Sequence, residues 1–391
     1  MWTLVDHDQQ LRDVVEQVSG TSTYYLDTEF DSRADRTNLC LLQLHANDRT
    51  FLIDAQAIRD LRPLGAPLGR GGVTWVLHGA HQDIPLLTRA LELDRPPRLF
   101  DTQIAWGMVG PEPATSFAYL TYRLLGSRNS KHHQADDWTR RPLSNSQLSY
   151  AAHDVNSLPP MHSKLLERVS ALRREDAVHE ACHDLLCGIG DAPESLSVES
   201  FRNAWQLEPA GQLALSELVA WFNTLSAEER ERTLESKLLW SLANRMPNTV
   251  EALRQVRGMP RLPHSHLERI LQIVNRALES QSTPSQLLEP PPYATFERLQ
   301  VDAWVEYVRA VACTRAEVSR ELVLAGRRLR QLKELVLKDG TDAITAQSLE
   351  RILGPWQFSL IGDAVLWAAS HVAAPLTLTS SALTRSEPTS F

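Results

Sequence analysis

The sequence predicts an α/β domain at its amino end, followed by two all-α domains. Three observations predict this. Four short apolar runs rich in β-branched and aromatic residues fall before residue 78. Helical periodicity alternates with and follows them. Beyond about residue 170 the strand signals stop and helical periodicity continues. A chain of 391 residues has room for two or three such domains.

The strand candidates come first. Thr23-Tyr24-Tyr25-Leu26 runs directly into Asp27, and residues 39–44, 51–54 and 73–77 repeat the pattern. Their length and flanking turn residues predict buried strands, the early ones adjacent in sequence as in a meander. Helical patterns cover residues 9–18, 84–91, 102–109, 117–125 and 144–168. Gly188 to Pro193 breaks the chain, and a helical block follows over 213–278. Residues 280–292 are rich in Ser, Gln and Pro and end in Pro290-Pro291-Pro292, which predicts a linker. A second helical block spans 295–371, and the Ser/Thr-rich remainder predicts a disordered tail.

Composition narrows the function. With 43% hydrophobic and 23% charged residues, the chain can bury real cores. Lys and Arg total 40 against 48 Asp and Glu, giving a net charge of −8. That argues against passive coating of nucleic acid, while leaving room for a local basic groove. Cys40, Cys182, Cys187 and Cys313 form no CxxC pair and no dense disulfide framework. Met1-Trp2-Thr3-Leu4-Val5-Asp6 shows no basic leader before an apolar run, and no apolar stretch has the length of a membrane span. A reducing, cytoplasmic setting is the expectation.

Three local patterns carry chemistry. Asp27-Thr28-Glu29 ends the first strand candidate, and residues two apart on a strand share a face. Two carboxylates so placed repel unless a cation neutralises them, and hard oxygen donors suit Mg²⁺ or Mn²⁺. By itself the pair reads equally as a solvated strand end. His78-Gly79-Ala80-His81-Gln82-Asp83 leads from a strand into a helix, where Asp83 alone reads as a helix N-terminal acid and the two histidines as local hydrogen-bonders. Tyr150 and Asp154 stand four apart in a helical pattern, so they share one face a turn apart. His179, Cys182, His183 and Cys187 are zinc-type donors at helical spacing, but four donors on one helix do not converge easily, and packing is the better reading.

Together, the order and context of the three patterns resemble the DEDD exonucleases. Asp27-Thr28-Glu29-Phe30 is similar to their first motif and His78 to Asp83 to their second. Asp137-Trp138-Thr139-Arg140-Arg141-Pro142-Leu143-Ser144, continuing to Tyr150-Ala151-Ala152-His153-Asp154-Val155, resembles the third motif in its ribonuclease D form. Leu99 to Ala105 fits the same family. Tyr150 marks the tyrosine subtype; the histidine subtype would carry His where Ser149 stands. Leu238 to Ala243 and Val256-Arg257-Gly258 resemble the helicase-and-ribonuclease-D C-terminal (HRDC) domain, and Gly354-Pro355-Trp356 with Ile361-Gly362 a second, divergent copy. Two departures are the charged stretch from Asp31 to Arg36 and the acidic pair Asp136-Asp137.

The resemblance implies a ribonuclease H-like exonuclease domain with a mixed β-sheet over 1–170 and a helical connector over 171–207. An HRDC domain over 208–282, a linker over 283–293, an HRDC-like domain over 294–372 and a disordered tail over 373–391 complete the expected order. It implies a 3′→5′ exoribonuclease that removes nucleoside 5′-monophosphates from RNA with a free 3′ end, with transfer RNA precursors as substrates. It also implies a monomer without membrane attachment or an obligate protein partner. Asp27, Glu29, Asp83 and Asp154 would hold two divalent ions, Mg²⁺ or Mn²⁺, roughly 4 Å apart. Asp27 would bridge them, Glu29 and Asp154 would hold the ion carrying the water, and Asp83 would complete the second site. Tyr150 would orient the water; with an ordinary pKa of about 10 it is a poor base alone. Phe30, Lys131, Arg140 and Arg141 are the expected RNA contacts, with Arg123, Arg128, His132 and His133 in the same basic run. Trp138 reads as a packing anchor. A DNA exonuclease and a non-catalytic RNA-binding scaffold are the rival readings.

Overall fold

The computed structural model describes residues 2–31, 37–58, 60–93, 97–127, 136–188, 196–198, 201, 203–225, 229–230, 234–280, 288 and 296–372. Arg128, Lys131, His132, His133, residues 32–36, the break at 189–193, the tail and all of the expected linker except Leu288 lie outside them.

Six strands form one sheet: β1 (Trp2–Val5), β2 (Thr23–Asp31), β3 (Asn38–Ala46), β4 (Arg49–Asp54), β5 (Thr74–Leu77) and β6 (Arg98–Asp101), in the order β1-β4-β3-β2-β5-β6. β3 runs antiparallel to β2 and β4, and the other pairings are parallel, so the sheet is mixed. Asn47 and Asp48, both at positive φ (50° and 59°), close the β3–β4 hairpin, because a two-residue loop matching the strand twist needs left-handed backbone. The expected strands over 23–26, 39–44, 51–54 and 73–77 lie within β2, β3, β4 and β5 but for Val73, which precedes β5. β1 and β6 were not expected; Thr3 interrupts the first and Arg98 and Asp101 bound the second, so neither offers an apolar run of more than two residues.

The long helix Asn145–Ala171 crosses β2, β3 and β4. It starts at a capping box in which Ser144 and Gln147 bond reciprocally. Leu148, Ala151 and Ala152 pack on Leu41, Leu52 and Trp138, and further along Val155, Leu158 and Met161 join the main core with Leu26 and Leu44.

The chain forms two compact units. One comprises Gly190–Tyr293, where helices Pro209–Thr224, Lys237–Arg245, Val250–Arg254 and His264–Glu279 enclose Leu215, Leu218, Leu239, Leu242, Ile270 and Val274. The other comprises Met1–Ile189 and Ala294–Phe391. In it the carboxy-terminal helices Phe296–Arg315, Gly326–Asp339, Ala346–Leu353 and Pro355–His371 keep their own core around Val305, Leu332, Leu349 and Ile361. They also dock on the sheet domain. Arg174 donates to the carbonyls of Met108 and Ala316 (both 2.5 Å) and Glu317 (3.0 Å). Ser319 N–H donates to Gly107 O at 2.7 Å, and a Cβ at Gly107 would stand 3.2 Å from Ser319 and Leu322. No helix among the described residues is long and apolar enough to cross a membrane.

Candidate active site

β2 pairs with β5 only from Thr23 to Tyr25, so its second half runs past the end of β5. Asp27 and Glu29 stand on that overhang, both partly exposed, with Thr28 buried between them on the opposite face. A bulge follows Glu29, where the β2–β3 register shifts before Phe30. Asp83 is the first residue of helix Asp83–Leu91, and Asp154 lies on the long helix; both are buried, at 9% and 7% exposure.

The four acids feel one another. Burial first, then the charges of Asp83, Asp154 and Glu29, raise the Asp27 carboxyl well above its usual range. Burial, with Asp154, Asp83 and Asp136, pushes Glu29 up to about 9. Burial pushes Asp83 up to about 6 against the hydrogen bond from Thr28, and Asp154 up to about 7 against that from Tyr150. Among the described residues no three His, Cys, Asp or Glu side chains already close on one coordination point. The donor set nevertheless fits hard divalent cations: it is all carboxylate, and no cationic partner of the kind that ordinarily balances buried acids stands beside it among the described residues.

Asp83 and Asp154 are held by their surroundings. Thr28 Oγ1 donates to Asp83 Oδ1 at 2.5 Å. Asp101, at the end of β6, accepts the amides of Gln103 (2.8 Å) and Ile104 (3.3 Å) as the cap of helix Thr102–Gly107. It also accepts the amides of Gly79 (3.1 Å) and Ala80 (2.8 Å), pinning the turn before Asp83. Gly79 takes φ +65°, where a side chain would be strained. His78 bonds Thr102 Oγ1 and Thr115 O, the local role expected of it, and His81 is exposed. Tyr150 hydrogen-bonds Asp154, and burial with the charges of Asp154, Glu29 and Asp27 raises its pKa. Its ring lies 6.3 Å from that of buried Trp138. Past Asp154, Asn156 Oδ1 receives Thr50 Oγ1 and lies 3.0 Å from His45 Nδ1, fixing the helix to β3 and β4.

One expected RNA contact is corrected. Arg141 reaches Asp54 through Nε (2.5 Å) and Nη2 (2.7 Å), and its other donors go to the carbonyls of Trp138, Arg140 and Cys40. A guanidinium has five N–H donors, so none is left for phosphate. Arg140 is exposed beside Asp137, Phe30 is half-buried, and Lys131 is outside the described residues. Arg123 pairs with Glu112 at 3.2 Å. Cys182 is buried and takes the Asp101 amide at 3.3 Å, while His183 and Cys187 touch each other on the surface. The sequence reading missed Thr28, Asp101 and a third residue: Gln43, fully buried opposite Asp27, whose Oε1 and Nε2 have no hydrogen-bond partner among the described residues. A polar residue inside an apolar run was the one available signal.

Comparison with known proteins follows the same lines. The family described as 3′-5′ exonuclease matches residues 2–170. Ribonuclease D of Haemophilus influenzae is 30% identical over 86% of this chain and 85% of its own. Ribonuclease D of Gluconacetobacter diazotrophicus is 31% identical over 66% and 67%. The crystal structure of Escherichia coli RNase D, described as an exoribonuclease involved in structured RNA processing, superposes with a TM-score of 0.68. It covers 95% of this chain and 99% of that one at 27% identity.

Proposed function

Because the chain belongs to the ribonuclease D family and is thus a 3′→5′ exoribonuclease, we propose that it trims structured RNA with a free 3′ end, transfer RNA precursors in particular, releasing nucleoside 5′-monophosphates. The observation that carries the mechanism is the group of four carboxylates that meet at Asp27, whose carboxyl the charges of the other three raise, Asp83 and Asp154 being buried. Asp27, Glu29, Asp83 and Asp154 would hold two divalent cations, Mg²⁺ or Mn²⁺. Bound there, such ions make water acidic enough to attack phosphorus and stabilise the departing 3′ oxygen.

The remaining work falls to the chain itself. Tyr150, tied to Asp154, orients the attacking water rather than deprotonating it, since its raised pKa keeps the hydroxyl proton in place. Trp138 supports the Tyr150 ring. Thr28 and Asp101 hold Asp83 and its turn in register with β2. Phe30, Arg140 and Lys131 contact the RNA near its 3′ end.

Product analysis tests this. Matched 3′-labelled RNA and DNA strands are digested with Mg²⁺ or Mn²⁺, and the released label is separated. Nucleoside 5′-monophosphate from RNA is the expected product. Release of 3′-phosphates, or preference for DNA, would overturn the reading.

A further inference from the structure

Gln43 occupies the middle of β3, directly across from Asp27 on β2 and from Leu52 on β4. Opposed residues of an antiparallel pair project from the same face with Cβ atoms about 5 Å apart. Its neighbours two positions away share that face. Leu41 packs on Leu148, Ala151 and Ala152, and His45 contacts Asn156. The carboxamide therefore lies under the stretch of the long helix that carries Asp154, with the Asp27 side chain beside it. It is 0% exposed, and neither of its polar atoms has a partner among the described residues.

Such a group is costly. Buried amides are nearly always satisfied, and an apolar residue of the same shape would serve the fold better. The surrounding polar groups are satisfied: His45, Thr50 and Asn156 bond one another, and Thr28 bonds Asp83. Among the described residues nearby, the Trp138 ring N–H also has no partner, but Gln43 leaves both a donor and an acceptor unmet, and it is the residue aligned with the central acid of the site.

We propose that Gln43 is a positioning residue of the active site, its carboxamide N–H, unpaired among the described residues, being the donor that turns to the Asp27 carboxylate and fixes it when a cation is bound. This rests on the reading of Asp27 as a ligand. An amide suits the task because it donates without adding charge, whereas Lys or Arg there would neutralise the acid and compete with the cations. Leu52 on its other side keeps water from taking its place.

The test uses the full chain with Gln43→Met, which keeps length and volume while removing both polar atoms, and Gln43→Leu as a second apolar variant. Three quantities are read: the melting temperature without metal, Mn²⁺ affinity by paramagnetic resonance titration, and the kcat and KM for a single-stranded RNA. The expected result is a melting temperature at or above wild type, Mn²⁺ affinity and kcat each about tenfold lower, and an unchanged KM. Wild-type Mn²⁺ affinity and kcat in both variants would overturn the proposal. So would a lower melting temperature with unchanged Mn²⁺ affinity, which would make the amide structural. If wild-type protein and Asp27→Ala bind Mn²⁺ alike, the ligand reading itself fails and takes the proposal with it.

Discussion

Thr28 Oγ1 donates a 2.5 Å hydrogen bond to Asp83 Oδ1, joining the residue between Asp27 and Glu29 to the acid that opens the helix after β5. One hydroxyl thus couples two of the three acidic motifs, from the face of β2 opposite the two carboxylates. Thr28→Val keeps the β-branched shape and removes the donor. It is expected to lower stability by about 1–2 kcal/mol, because Asp83 stays buried without its partner, and to reduce kcat about tenfold. Thr28→Ser should restore both. Denaturant melts and single-turnover digestion check this.

Metal-free stability should fall as pH rises. Asp83 sits up at about 6, Asp154 at about 7 and Glu29 at about 9, with Asp27 raised as well. In the unfolded chain such carboxyls titrate near 4. The folded protein therefore binds more protons than the unfolded one above that point, and the contribution is lost as pH climbs through these raised values. The melting temperature in EDTA is expected to decline from pH 5 to pH 8, and added Mn²⁺ to stabilise progressively more over the same range. A metal effect independent of pH would contradict the assignment of these acids as ligands.

Arg141 belongs to the fold. Its fork holds Asp54, whose side chain is 7% exposed, so Arg141→Ala leaves a buried carboxylate unpaired. A loss of about 3 kcal/mol is expected, largely relieved by combining it with Asp54→Asn in a double-mutant cycle. RNA affinity of the folded variant, measured well below its melting temperature, should match wild type.

Tyr150→Phe keeps the ring against Trp138 and removes the hydroxyl bonded to Asp154. A misplaced water is expected to cost about a hundredfold in kcat with little change in KM or Mn²⁺ affinity. Equal losses in kcat and metal affinity would instead make Tyr150 part of the ligand shell.

Truncation after residue 293 should destabilise the exonuclease domain. The carboxy-terminal helices supply Leu322, Trp356 and Leu360 to the rim of its core and the carbonyls that Arg174 grips. Without them that surface is exposed, and a lower melting temperature with reduced yield of folded protein is expected. Calorimetry of the shortened and full chains checks it.

Much of this was legible in the sequence because the chemistry is local. Asp27 and Glu29 alternate on one strand, and Tyr150 and Asp154 lie one helical turn apart. The strand candidates over 23–26, 39–44 and 51–54 fall within strands, and the helical pattern from 144 to 168 matches the long helix. What escaped depends on contacts distant in the chain. Arg141 reads as a member of a basic run, and only the approach of Asp54, 87 residues away, commits it. Thr28 and Gln43 read as ordinary strand positions, because their meaning comes from Asp83 and Asp27 across the fold. β1 and β6 each carry an apolar run of only two residues, Leu4-Val5 and Leu99-Phe100.

The most direct test is a time course on 5′-labelled single-stranded RNA with Mg²⁺ or Mn²⁺, comparing wild type, Asp154→Asn and wild type with EDTA. The expected result is a ladder shortening from the 3′ end that requires metal and vanishes in the variant. Metal-independent shortening, or a variant as active as wild type, would contradict the assignment of this site.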